Sequence, residues 1–151
     1  MLKFKILDKV EADRWNELLL NSNYSTVYQS TKFLETDESR FPVFVYIIDE
    51  ENRVKGQLAL TILKKRSAFS SKKLGSYMQK ISSLGNRGTW VNGPIIYSES
   101  EEERIQILQK FFEAINEIIV KFDLILIDGY SSPQNTQVDK DYLNLFKKNG
   151  F

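Results

Sequence analysis

The chain has 151 residues and a mass of 17.6 kDa, enough for one domain with a core that needs no disulfide or metal staples. Its 42% hydrophobic and 27% charged residues match ordinary globular usage and exclude disordered, collagen-like and low-complexity classes. It contains neither Cys nor His. Disulfides, thiolate nucleophiles, zinc ribbons, iron–sulfur clusters and a Ser-His-Asp triad are thereby excluded, leaving carboxylates, Lys, Tyr, backbone groups or the substrate itself to do any chemistry.

No apolar run reaches the roughly 18 residues of a membrane span, and no signal-peptide core follows Met1, so the expected compartment is the cytoplasm. The net charge is +1, but it is unevenly spread. Residues 54–98 hold no Asp or Glu and carry Lys55, Lys64, Lys65, Arg66, Lys72, Lys73, Lys80 and Arg87, a local +8 that leaves the rest of the chain at −7. Such a block either gathers into a face that attracts phosphates or consists of solvated loop and edge-strand charges that deter pairing.

In chain order, Leu2, Phe4 and Ile6 alternate with lysines and predict a half-buried strand. Asp8 or Ala12-Asp13 is the expected cap of an amphipathic helix over 12–20, with Trp15, Leu18 and Leu19 on its apolar face and Asn21-Ser22-Asn23 as its stop. Val27 to Ser30 lead into a second short helix capped by Ser30 or Thr31. Residues 41–49 and 54–64, joined by a turn at Glu50 to Arg53, predict an antiparallel hairpin. Residues 67–76 read as a loop and 77–84 as a third strand. Gly85 to Gly88 and Asn92-Gly93-Pro94 read as chain breaks around Trp90, and Ile95 to Tyr97 as a short extended piece.

Ser98 to Glu103 is a strong helix start, a cap followed by acids at the positive end of the dipole. The helix runs to about 121 and buries Ile105, Leu108, Phe112, Ile115, Ile118 and Ile119. Leu124 to Ile127 reads as a fully buried central strand. A last helix covers 139–148 and closes at Asn149-Gly150. The order β-α-α-β-β-β-α-β-α is that of an α/β domain around a mixed sheet.

This order resembles the GNAT acyltransferase fold up to its fourth helix. Finer pieces resemble the Fem-type, aminoacyl-tRNA-dependent ligases of peptidoglycan cross-bridges: Trp15-Asn16-Glu17-Leu18, Val27 through Glu35, Gly56-Gln57-Leu58-Ala59-Leu60, Gly93-Pro94-Ile95-Ile96 and the ending Leu145-Phe146-Lys147-Lys148-Asn149-Gly150-Phe151. The resemblance implies a GNAT-like domain over 1–151 that is the N-terminal half of a two-domain protein, truncated before its last strands. It implies an acceptor side for a phosphorylated muropeptide or glycan precursor, with aminoacyl-tRNA as donor held through a second domain. It also implies an uncovered sheet edge after residue 127 that a second copy of the chain can fill. Ordinary GNAT enzymes hold acetyl-CoA with a Gln/Arg-x-x-Gly-x-Gly/Ala turn; here that turn is Trp90-Val91-Asn92-Gly93-Pro94 followed by acids, so acetyl-CoA is not expected as cofactor and no metal is.

The candidate substrate-binding residues are Lys32, Gln29, Arg87, Trp90, Asn92, Asp128 and Tyr130. Lys32 opens the second helix, where a Lys meets a phosphate or is simply solvated. Gln29 is expected to bond backbone and pin the start of that helix. Trp90 stacks on a base or sugar or covers the core. Asp128 and Tyr130 line a cleft at a strand's carboxyl end or form a turn. Lys64, Lys65, Arg66, Lys72, Lys73 and Lys80 are the candidates for a diffuse phosphate-attracting surface, with solvated loop charges as the alternative. Three functions follow: an acceptor-side domain of a Fem-type aminoacyl or peptidyl transferase, inactive alone; a non-catalytic binding module on the same scaffold; or a divergent GNAT N-acetyltransferase.

Overall fold

The period-two segments of the sequence join into one mixed sheet in a computed structural model, which describes residues 1–36, 39–63, 85–131 and 136–148, the side chains of 136–139 and 146 excepted. The elements are β1 (Lys3–Leu7), α1 (Ala12–Leu20), a 3-10 turn (Val27–Gln29), α2 (Thr31–Leu34), β2 (Arg40–Ile48), β3 (Val54–Leu63), β4 (Asn86–Val91), β5 (Ile95–Ile96), α3 (Glu101–Lys121), β6 (Leu124–Tyr130) and α4 (Thr136–Lys148). The strand order is β1-β2-β3-β4-β6, with β5 beside β3 past the point where β4 leaves it. All pairs are antiparallel except β4 with β6, which is parallel across the α3 crossover.

Strand alternation divides the sheet into two faces. Val43, Val45 and Ile47 of β2 and Leu58, Leu60 and Ile62 of β3 point to one side, where they meet Ile107, Phe111, Ile115 and Ile118 of α3 in the main core. Phe44 and Ala59 point to the other side and meet Trp15, Leu19 and Leu34 of α1 and α2, with Ile95 of β5. The result is three layers, with α1 and α2 on one face and α3 and α4 on the other. Each fully buried aliphatic side chain contributes about 1.5–3 kcal/mol, so two buried faces per strand explain why β2 and β3 read as nearly continuous apolar runs.

Local chemistry sets the boundaries. The Ser30 side chain accepts the Phe33 amide and starts α2, and Ser100 accepts the Glu103 amide and starts α3. Trp15 fixes α1 to the sheet, its ring 4.9 Å from Phe44 and 5.1 Å from Tyr46. The β2–β3 turn closes on Asp49, whose Oδ1 accepts the amides of Glu51 and Arg53, while Asn52 takes a left-handed φ of 61°, which Asn tolerates better than most residues. At the far side, Arg104 of α3 and Asp141 of α4 form a largely buried ion pair at 3.6 Å.

Several expectations are corrected here. The N-cap of α1 is Glu11, without a side-chain cap bond, so neither Asp8 nor Ala12-Asp13 caps it. Gly85 to Gly88 is not a break: β4 begins at Asn86, because Gly88 leaves room for Leu124 and Ile127 packed against it. The α3 stripe centres on Ile107, Phe111 and Ala114, with Ile105 and Ile119 only half-buried. β6 is neither central nor fully buried. It is the last strand of the order, and Ile125 and Leu126 are exposed. A bulge explains the pattern: Asn86 faces Leu124 but Arg87 faces Leu126, so Leu124 and Ile127 share the core face although they stand three apart. The loop at 67–76, the strand at 77–84 and the cap at 149–150 lie outside the described residues.

Candidate functional site

The carboxyl ends of β4 and β6 carry most of the candidate residues. The register pairs Arg87 with Leu126, Thr89 with Asp128 and Val91 with Tyr130. These six side chains therefore share one sheet face, that of α1 and α2, and all but the half-buried Thr89 are exposed. Thr89 Oγ1 donates to Asp128 Oδ2 at 3.3 Å across the pair. A cation, a hydroxyl, a carboxylate and a phenol thus line one open, otherwise apolar strip.

Gln29 organises the rim of this strip. It is 1% exposed, and its Nε2 donates to the carbonyls of Val91 at 3.2 Å and Asn92 at 2.6 Å. Its own carbonyl accepts Trp15 Nε1 at 2.8 Å. One side chain and one carbonyl therefore hold the 3-10 turn between α1 and the end of β4. Asn92 sits at φ 57° before a cis Gly93-Pro94 bond, and its Nδ2 donates to Thr26 Oγ1. The Gly93 amide donates to the Tyr130 carbonyl at 3.1 Å, so the turn also clamps the end of β6. The apolar body of Trp90 lies over Gly129 on the opposite, core face, where a Cβ on Gly129 would fall 1.8 Å from the indole.

The structure brings Arg87, Asp128 and Tyr130 to one face, with Gln29 and Asn92 as the scaffold beneath their end. Lys32 is exposed on α2, and Tyr130 is 65% exposed. Two expectations change. Trp90 lies in β4 rather than in a turn and is 3% exposed, so of its two readings the ring takes that of core wall and not that of stacking surface. Asp128 and Tyr130 end a terminal strand, not a central one. Lys64, Lys65, Arg66, Lys72, Lys73 and Lys80 lie outside the described residues. Thr89 was not singled out by the sequence reading: its nearness to Asp128 depends on the β4–β6 register, which no local pattern encodes.

The start of α3 has the opposite electrostatics. Glu101, Glu102 and Glu103 fill its first turn. Glu103 pairs with Lys55 at 2.8 Å and accepts the Ser98 hydroxyl. Those two hydrogen bonds, Lys55 first, hold its carboxyl below the usual carboxylate range. The helix dipole that would favour a pyrophosphate is already met by the chain's own carboxylates. Among the described residues no group of three potential metal ligands converges, and no helix is long and apolar enough to cross a membrane.

No family model and no curated protein matches the sequence. Solved structures do match the fold. A protein described as a probable acetyltransferase superposes with a TM-score of 0.58 at 17% identity, covering 99% of this chain and 89% of its own. A transcriptional regulator from Bacillus halodurans C-125 gives 0.55 at 16% over 98% and 92%. An integron cassette protein from the mobile metagenome of V. cholerae gives 0.55 at 15% over 99% and 85%. At such identities the likeness concerns architecture: the chain has a GNAT-like fold, a mixed sheet flanked by helices.

Proposed function

We propose that the chain is an acceptor-binding domain for acyl-group transfer, of the Fem type, in which the exposed face of β4 and β6 receives a phosphorylated muropeptide or glycan acceptor. The observation that carries this reading is the contrast between the two helix-side ends of the sheet. Arg87, Thr89, Asp128 and Tyr130 share an open face, whereas the α3 start is occupied by three acids. An amine attacking an activated aminoacyl ester needs positioning and charge stabilisation more than a His base. Arg87 supplies charge for a phosphate, Asp128 a carboxylate for an ammonium group, and Tyr130 a hydroxyl for a developing oxyanion. Aminoacyl-tRNA would be held by a second domain, and the edge of β6 that pairs with no strand among the described residues is where a further strand, from that domain or from a second copy, would add.

Thermal unfolding tests this reading, since a ligand bound only by the folded state raises its stability. A nucleotide-linked muropeptide is expected to raise Tm, and acetyl-CoA at the same concentration is expected not to. Stabilisation by acetyl-CoA alone would assign the chain to ordinary acetyl transfer, the activity for which one structural neighbour is named.

A further inference from the structure

At the opposite edge of the sheet, a groove of about 300 Å³ opens between β1, the start of α1 and the β2–β3 turn. That volume is at the lower end of small-molecule sites. Its floor is built by Leu7, Tyr46 and Ile48, and Ile48 is buried. The Tyr46 ring is held in place by contact with Trp15 at 5.1 Å. Around the rim stand Lys5, Lys9 and Arg14, with Glu11 as the one carboxylate lining the groove. None of the three cations pairs with a carboxylate among the described residues, although nearby surface cations such as Lys121 and Arg53 do. Burial raises the pKa of the Tyr46 phenol, Arg14 opposes that rise and Glu11 adds to it, so both charges lie within electrostatic reach of the ring.

We infer that this groove binds a small amphiphilic anion, an apolar ring or short chain carrying a single carboxylate or phosphate. Register explains the division of labour. Lys5 faces Tyr46 across β1 and β2, and Leu7 faces Phe44, so one cation rises beside the phenol while the next inward residue supplies apolar surface. Arg14 approaches from α1, one residue before the buried Trp15. An anionic head meets Lys5, Lys9 and Arg14 with the Tyr46 hydroxyl beneath it, and the apolar body covers Leu7 and Ile48. Inorganic phosphate satisfies only the rim, and an uncharged ring only the floor. Because strand order separates β1 from β6 by the whole width of the sheet, this site is independent of the acceptor face.

Isotope-edited NMR titrations of the full chain test it, with phenyl phosphate and benzoate as probes and inorganic phosphate and benzyl alcohol as controls. At least one of the two probes is expected to shift the amides of residues 5–14 and 46–54 saturably, with both controls at least about tenfold weaker. Arg14→Gln and Lys5→Gln are each expected to weaken it by about tenfold, the scale of one charge-assisted hydrogen bond. Both residues are exposed, so the variants keep the fold. Lys110→Gln on α3 is the control and is expected to leave affinity unchanged. Two results would overturn the inference: unchanged affinity in Arg14→Gln and Lys5→Gln, or inorganic phosphate binding as tightly as the probes, which would reduce the groove to diffuse surface charge. Shifts confined to other residues, or absent with both probes at millimolar concentration, would do the same.

Discussion

Gln29 and Gly129 are the two residues on which the geometry of the β4–β6 end turns. Gln29 spends its amide on two carbonyls of the β4 end, and each such bond contributes about 1 kcal/mol net, with a further cost when the partners are left buried. Gln29→Ala is expected to lower stability by about 2–3 kcal/mol, measurable by urea unfolding, and to raise hydrogen exchange over 27–34 and 91–93. A loss of stability with unchanged exchange in those segments would show that Gln29 acts as generic packing. Gly129 is required by contact rather than by backbone conformation. A methyl group there meets the rigid indole of Trp90, so Gly129→Ala is expected to cost at least about 3 kcal/mol, at the severe end of overpacking. A near-native Tm for that variant would contradict the packing described for Trp90.

At the scale of elements, α3 and its start have a definite pH signature. The folded Glu103 carboxyl titrates below its ordinary value of 4.5 because of Lys55 and Ser98. A depressed carboxylate pKa contributes stability above the unfolded value and loses it as pH falls through the folded one. Glu103→Gln is therefore expected to be less stable than the parent at pH 7. Solvent screening of this half-exposed pair holds the difference to about 1 kcal/mol. The difference is expected to shrink as pH falls below about 4.5, the unfolded carboxylate range, and denaturant midpoints from pH 7 to 3 measure it. A difference that persists at pH 3 would mean that Glu103 acts by packing or capping.

The same elements show which parts of the structure were legible in the sequence. Helix 12–20, the 41–64 hairpin and the acidic start of the long helix were readable because periodicity, turn chemistry and capping are local. The character of β4 was not, because Gly85 and Gly88 look like turn residues until Ile125 is known to pack on the first and Leu124 and Ile127 on the second. Nor was the exposure of β6, since its bulge and terminal position are properties of pairing rather than of Leu124 to Ile127 themselves. Trp90 was placed in a turn for the same reason; the core was one of its two readings, and strand phase decides for it. The Gln29 side chain does bond backbone, but its partners are the carbonyls of Val91 and Asn92, distant in sequence, so no local pattern could name them.

At the scale of the whole molecule, the chain is a GNAT-like scaffold whose two exposed chemistries lie at opposite sheet edges. One edge carries the amphiphilic groove of β1 and α1, and the other the polar strip of β4 and β6. The start of α3, whose dipole would otherwise favour an anion, is filled by Glu101, Glu102 and Glu103. The most direct measurement is an amide-resolved NMR titration of the full chain with a nucleotide-linked muropeptide and, separately, with acetyl-CoA. Saturable muropeptide shifts centred on residues 87–92 and 126–130, with the amides of 98–104 unmoved by acetyl-CoA, are the expected result. Acetyl-CoA shifts centred on 98–104, with no muropeptide response on β4 and β6, would contradict the acceptor-domain account.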